Sequence, residues 1–302
     1  MNENPWDFPG WVNDPEAVGQ IVEMQPSPWF GFTPAGLDNS PLPAQVFLWD
    51  LARKVLRDLL PPRNQGRVGS CVAFGTARAV EYTMLAEIVA GQPEEFRAVA
   101  TEPIYGGSRV EVGGGRIRGD GSIGAWAAEW VKRWGILPRA QFGAHNLTTY
   151  SESLCRQWGS SGVPNDLEPE ARKHPIQAIT KVTNWEQAKR ALANTYGVAI
   201  CSNQGFTMTR DGEGFARASG RWAHCMCLAG YQTGRREGGR IDNSWGASTH
   251  TGPTGAGNPG PEGFWADADT IDKMLAYGDS WAFSGFQGFP ARLDKIDWDT
   301  IG

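Results

Sequence analysis

No stretch of the chain is apolar for long enough to cross a bilayer, which takes roughly 20 consecutive apolar residues. The opening segment, "MNENPWDFPGWVNDPEA", lacks the basic start and the apolar run of an export signal. The expectation is a protein without a signal peptide, in the cytoplasm. Positive charge is not in excess either: the net charge is −5 and the pI near 5.5. That removes the electrostatic basis for binding nucleic acid or an anionic membrane. Its one short basic stretch, "GRREGGR" at 234–240, reads as a solvated turn. Cysteine is scarce and odd in number: Cys71, Cys155, Cys201, Cys225 and Cys227. At least one stays unpaired within the chain, and reduced thiols are the simpler expectation.

What is present describes a globular protein. Hydrophobic residues make up 40% and charged residues 20% of 302 positions, enough for one large domain or two lobes around a buried core. Residues 1–43 repeat proline and tryptophan without helical or strand periodicity and read as an extended arm. From 44 to 283 the chain reads as one domain. "AQVFLWDLARKVLRDLL" at 44–60 has helical spacing up to Pro61 and Pro62, a long helix is expected from Ser70 to about Ala90, and "SIGAWAAEWVKRWGI" is a buried helix stopped by Gly135. Residues 138–180 look irregular. A helix capped by Asn184 follows, then strands at "VAICSN", "WAHCMCLAGYQ" and "GRIDNSW". Helices in a first lobe (about 44–165) and strands in a second (about 176–283) make an α+β protein with an antiparallel β lobe and a cleft between the two. Residues 284–302 form an aromatic-rich tail. The fourteen tryptophans, several in segments without periodicity, suggest contact surface in the arm and tail.

Chemistry concentrates around "NQGRVGSCVAFG", residues 64–75. A cysteine opening a helix feels the positive end of the helix dipole, which favours thiolate over thiol. Gln65, six residues upstream, presents a side-chain amide; with the Cys71 backbone N–H it would supply two donors to a developing oxyanion. A thiolate needs a base. Among the histidines, His145, His174 and His250 sit in polar or Gly/Pro-rich segments and read as surface residues. His224 opens a strand nineteen residues before Asn243, whose carbonyl can hold an imidazole in one tautomer. A metal site in "HCMC" is not expected, because His224 faces one side of a strand and Cys225 and Cys227 the other. "RGD" at 118–120 is too short to carry meaning, and "GGGRIRGDG" lacks a preceding strand and the lysine of a phosphate loop.

Taken together these segments resemble the papain-like cysteine peptidases. "NQGRVGSCVAF" is similar to the block that holds the oxyanion glutamine and the nucleophile, "HCMCLAGY" to the histidine strand, and "NSWG" at 243–246 to the asparagine block. "DGSIGAWAAEWVKRWGI" and "EQAKRALANTYGVAICSN" resemble the segments that line the cleft and open the β lobe. The resemblance covers roughly residues 60–270. It implies a two-lobed fold and hydrolysis of peptide bonds through a thioester, with no cofactor and no metal. Cys71 would be the nucleophile, His224 the base and then acid, Asn243 the orienter and Gln65 the oxyanion donor. Trp245 would shield the histidine–asparagine bond, and Asp120, Gly121 and Ser122 would border a peptide or protein substrate.

The departures are equally specific. Val68 stands where the family usually has a half-cystine, Val72 replaces the aromatic after the nucleophile, and a long Gly/Pro/Thr loop follows "NSWG" in a place where it would narrow the cleft. The family's helical pro-segment is not recognisable in residues 1–43. These features resemble bacterial and phage members more than lysosomal or plant ones. They leave two alternatives to a peptidase: a papain-fold docking part, for example in a virion, whose arm and tail engage assembly partners, and an amidase of cell-wall peptides.

Overall fold

The computed structural model describes residues 10–92, 95–285, 289–293 and 297–298. The first half is mostly helical: α1 (Pro15–Met24), α2 (Pro34–Leu37), α3 (Leu48–Leu56), α4 (Cys71–Val89), α5 (Thr101–Gly107), α6 (Gly124–Trp134), α7 (Glu152–Ser161) and α8 (Glu168–Ala171). It also holds the short strands β1 (Gln45–Phe47), β2 (Gln141–Phe142) and β3 (His145–Asn146). The second half contributes β4 (Ala178–Lys181), α9 (Trp185–Ala193), β5 (Val198–Arg210), β6 (Ala216–Gln232), β7 (Gly238–Asp242), β8 (Phe264–Asp267), α10 (Ala268–Leu275) and β9 (Trp281–Ser284). Its strands form an antiparallel sheet in the order β4-β9-β5-β6-β7-β8, with β1 added against β6. This is the expected α+β arrangement.

Helix α4 is the axle of the fold. From Cys71 to Glu87 almost every side chain is buried, the pattern of a helix covered on all sides. Its buried charges are paired: Glu81 takes Arg63 and Arg78, and Glu87 takes Arg292. Gly75 sets how closely α4 approaches the sheet, since a Cβ there would come within 2.8 Å of Cys225 Sγ and 2.9 Å of the Met226 carbonyl. One helical turn earlier, that same close approach lays Cys71 beside β6.

Several local expectations give way to tertiary pairing. The stretch 44–60 is a strand followed by a helix, because Gln45, Val46 and Phe47 add to the edge of β6 opposite Gln232, Tyr231 and Gly230. The helix then stops at Arg57 in a left-handed conformation (φ 63°), ahead of the prolines. Within 138–180 lie a small hairpin and α7, whose first turn is capped by Ser151 accepting from the Leu154 amide at 3.2 Å.

The largest correction concerns the arm. Residues 15–24 are helical, with Asp14 capping the Ala17 amide at 3.0 Å and Pro15 in the first turn, an aspartate–proline start that favours helix. Ala17, Val18 and Ile21 are buried, and Gln25 at the end of α1 donates to Glu129 of α6 at 2.9 Å. Phe30 packs against Tyr196 and Phe289 of the same chain, while Phe32 is 73% exposed. In the tail, the Phe289 carbonyl accepts from the Ala35 amide and Trp298 Nε1–H donates to the Ala193 carbonyl. Trp6 and Phe8 lie outside the described residues.

Candidate active site

Five of the sequence-designated residues converge where α4 begins beneath β6 and the turn after β7. Cys71 is the first residue of α4; His224 lies on β6, with Ser202 of β5 as its cross-strand partner. Asn243 directly follows β7, which pairs with β6 and carries the asparagine back to the histidine. His224 Nε2 and Asn243 Oδ1 are 2.9 Å apart. Trp245 stacks on the imidazole with ring centroids 4.4 Å apart and planes 27° apart, and Trp222 meets Trp245 edge-on. The pair is thereby walled off from water on one side.

The Ser244 backbone N–H donates to Asn243 Oδ1 at 2.7 Å. A backbone N–H only donates, so the atom it meets is the amide oxygen. His224 must therefore carry its proton on Nε2 to donate to that oxygen, which leaves a lone pair on Nδ1. Burial lowers the His224 pKa to about 4, with the Asn243 hydrogen bond opposing the shift. At neutral pH the ring is neutral and its Nδ1 can take up a proton.

Gln65 is buried and fixed at both ends of its amide. Its Oε1 accepts from Ser244 Oγ at 2.7 Å and its Nε2–H donates to the Val68 carbonyl at 2.9 Å. An amide nitrogen has two hydrogens, and one remains beyond that bond. Val68 is buried and closes this loop by packing together with the Gln65 bond to its carbonyl, where the resemblance would have placed a disulfide. All five cysteines are free.

The helix-start argument anticipates an activated thiol at Cys71, and the structure holds it differently. The Sγ accepts from the Cys225 backbone N–H at 3.3 Å, and no hydrogen bond joins it to His224 among the described residues. The side chain is wholly buried, and burial pushes the thiol pKa well above its ordinary value, with nearby Cys225 adding to the effect. The cover is the chain's own N-terminal segment. The Gly10 and Trp11 amides both donate to the Ala223 carbonyl, and Val12 and Gly10 exchange bonds with the two backbone groups of Ser122. A Cβ at Gly10 would overlap Cys71 Sγ, so only glycine passes over the thiol at this distance. Trp11 is buried beside Tyr277 and donates its indole N–H to Asp279 Oδ2 at 2.7 Å. Asp279 also accepts from the Gly124 and Ala125 amides and the Trp281 indole, while burial raises its pKa to about 6. Residues 10–12 of the segment read from the sequence as an extended arm thus pass directly over the thiol.

The trio expected to border substrate divides. Ser122 meets the segment through its main chain. Asp120 turns away, accepting from the Gly69 amide at 2.9 Å and pairing with Arg156. Gly121 gives its amide to Tyr105 and its carbonyl to Arg109.

His250 was expected at the surface. It is buried, with its Nε2 3.1 Å from Asn243 Nδ2. Arg210 draws the inserted loop inward by binding the carbonyls of His250, Gly252, Pro261 and Gly263, and Trp49 and Arg53 hold the Gly257 carbonyl at its far side. The sequence carried no signal for this: a histidine in a Gly/Pro/Thr loop looks solvated until the arginines that bind the loop are placed in space. Gly10 was likewise missed, and the aspartate–proline start of α1 just after it is the one local signal for this segment.

Among solved structures, this chain is similar to xylellain, a cysteine protease from Xylella fastidiosa, with a TM-score of 0.64 and 16% identity over 95% of this chain and 99% of that one. It is also similar to digestive procathepsin L 3 of Tenebrio molitor larval midgut, with a TM-score of 0.53 and 12% identity over 89% and 79% of the two chains. The Amb a 11 cysteine protease of ragweed pollen, in its proform, aligns with a TM-score of 0.51 and 15% identity over 93% and 77%. No protein-family model and no curated protein matches the sequence. The chain has the papain-like cysteine protease fold.

Proposed function

We propose that the protein is a cysteine peptidase that cleaves peptide bonds through Cys71, His224 and Asn243. The observation that carries this reading is the His224–Asn243 hydrogen bond under Trp245, held beside the cysteine that opens α4. A buried neutral imidazole in a fixed tautomer, next to a thiol at a helix N-terminus, is the arrangement that nucleophilic acyl transfer requires.

When residues 10–12 leave the cleft, the thiol turns from the Cys225 amide to His224 Nδ1 and passes its proton there. The thiolate adds to the substrate carbonyl carbon, and the resulting oxyanion is met by the Cys71 backbone N–H and the remaining Gln65 amide hydrogen. His224 returns the proton to the leaving amine as the C–N bond breaks, which leaves a thioester on Cys71. Water then attacks the thioester, His224 takes and returns a proton once more, and the acid product is released with the thiol restored. Opening the cleft readmits water to both groups, which relieves the burial that holds the thiol pKa up and the imidazole pKa down. Ser122 would offer substrate the backbone pairing it now gives to Gly10 and Val12.

The test is site-resolved alkylation of the full chain, read by mass spectrometry, alongside hydrolysis of a peptide library. Cys71 of a Trp11→Ala protein should react faster than the other four cysteines below pH 8, and His224→Ala in that background should abolish the difference. Equal labelling of both proteins across pH 5–8, with no peptide cleaved, would exclude the reading.

A further inference from the structure

We infer that His250 is a positioning residue: as a neutral hydrogen-bond acceptor it fixes the Asn243 amide so that only its oxygen faces His224. The inference rests on the peptidase reading for its functional consequence, and on geometry alone for its structural one.

Three hydrogen bonds surround the Asn243 amide and leave one consistent assignment. Ser244 N–H identifies Oδ1 as the oxygen, and that oxygen also accepts from His224 Nε2–H at 2.9 Å. The amide nitrogen consequently points the other way, at His250 Nε2 3.1 Å distant. Nδ2 donates, so His250 Nε2 must offer a lone pair and its ring proton must sit on Nδ1. A charged His250 would put an N–H against an N–H and break the contact. The surroundings keep it neutral: burial comes first, then the positive Arg210 and Arg240, and together with His224 they outweigh a hydrogen-bonding influence from the Met208 backbone, lowering its pKa to about 3. Phe264 lies against the ring with centroids 4.7 Å apart. A buried amide N–H left without an acceptor is costly, and His250 supplies that acceptor.

The amide's orientation reaches the reaction through the tautomer of His224. Should the amide turn over, Nδ2 would face His224 Nε2, making that nitrogen an acceptor and moving the proton to Nδ1. Nδ1 is the atom that must be unprotonated to receive the Cys71 proton. Two contacts guard against the flip, the Ser244 amide and His250, so removing one weakens the orientation without erasing it.

The experiment uses the full chain carrying Trp11→Ala, which opens the cleft, with three versions of position 250. His250→Leu removes the acceptor, and His250→Gln restores one through its carbonyl. Steady-state hydrolysis of a fluorogenic peptide amide should show kcat lowered roughly tenfold in His250→Leu with KM unchanged, and kept within about threefold in His250→Gln. The second readout is independent of turnover: imidazole 15N shifts should place the His224 proton on Nε2 in the parent and in His250→Gln, and show a mixture of tautomers in His250→Leu. If His250→Leu does not fold, His250→Met, with a thioether that accepts only weakly, takes its place. Retention of both kcat and the pure Nε2–H tautomer in the acceptor-less variant would overturn the inference. Equal loss in the leucine and glutamine variants with an unchanged tautomer would overturn it too, leaving only a packing role. If no version cleaves any peptide, the peptidase reading fails, and the 15N shifts alone decide whether His250 holds Asn243.

Discussion

The two walls of the cleft stand at different stages of assembly. On the strand side, His224, Asn243, Ser244 and His250 form a continuous chain of short hydrogen bonds roofed by Trp245. On the helix side, the Cys71 thiol faces the Cys225 amide under Gly10, and the Gln65 amide is tied to Val68. Preorganisation therefore resides on the strand side. His224 and Asn243, which the proposed reaction needs in one orientation, are fixed by the sheet and its loop. The thiol that the proposed reaction would use as its nucleophile lies buried under Gly10, and burial holds its pKa up.

The largest effect should come from removing His224, the base of the proposed reaction. His224→Ala in a Trp11→Ala background should lower peptide hydrolysis by about 10²–10⁴-fold, measured as kcat, with the far-ultraviolet dichroism unchanged. Activity that survives would place the chemistry elsewhere. Gln65→Ala tests the helix wall separately. Loss of an oxyanion donor costs about 2.7–4 kcal/mol of barrier, so kcat should fall by about 10²–10³-fold while Cys71 alkylation stays fast, because alkylation develops no oxyanion.

The covering segment is the next lever. Truncating a buried tryptophan costs about 3–5 kcal/mol, and Trp11 anchors the segment through Asp279. Trp11→Ala should therefore speed iodoacetamide labelling of Cys71 by about 100-fold, read by mass spectrometry, without changing labelling of Cys155 or Cys227. An unchanged rate would mean that some other contact holds the thiol closed.

Acid should act on both walls at once and in opposite senses. His224 and His250, with pKa values near 4 and 3, stay neutral in the folded chain while the unfolded chain protonates below about 6.5. Unfolding thus takes up protons, and each histidine costs up to ~1.4 kcal/mol of stability per pH unit as pH falls through that window. Asp279, raised to about 6, keeps in the folded state a proton that the unfolded chain releases above about 4, so its contribution grows as pH falls. Among these three groups the two histidines outweigh the aspartate, so the melting temperature of His250→Gln should fall less than that of the parent between pH 6.5 and 4.5. The smallest effect expected is that of reductant: with five free thiols, dithiothreitol should leave the melting temperature unchanged.

Most of the elements that bring Cys71, His224 and Asn243 together were readable from the chain because their causes are locally written. A glycine-flanked turn before a buried run places Cys71 at a helix start. Apolar runs in the second half give β6 and β7, and their pairing brings Asn243 to His224. Asn184 as a cap and Gly135 as a stop act through their nearest neighbours and needed no fold to be recognised. Helix α1 carries local signals in Asp14, Pro15 and the spacing of Ala17, Val18 and Ile21, but the surrounding prolines and tryptophans mask so short a periodic stretch, and the segment reads as extended.

The amino-acid order alone dictates the elements whose causes lie within a few residues: helix starts and stops, strand runs, and the residue types that suit acyl transfer. Tertiary structure alone decided which polar group faces which. Gly10 over Cys71, Trp11 on Asp279 and His250 on Asn243 join positions 61, 268 and 7 residues apart in sequence, and even the shortest of these depends on Arg210 drawing a loop inward from another strand. Such contacts are favoured because a buried donor is costly without an acceptor, a condition on the folded whole that no local pattern of side chains expresses.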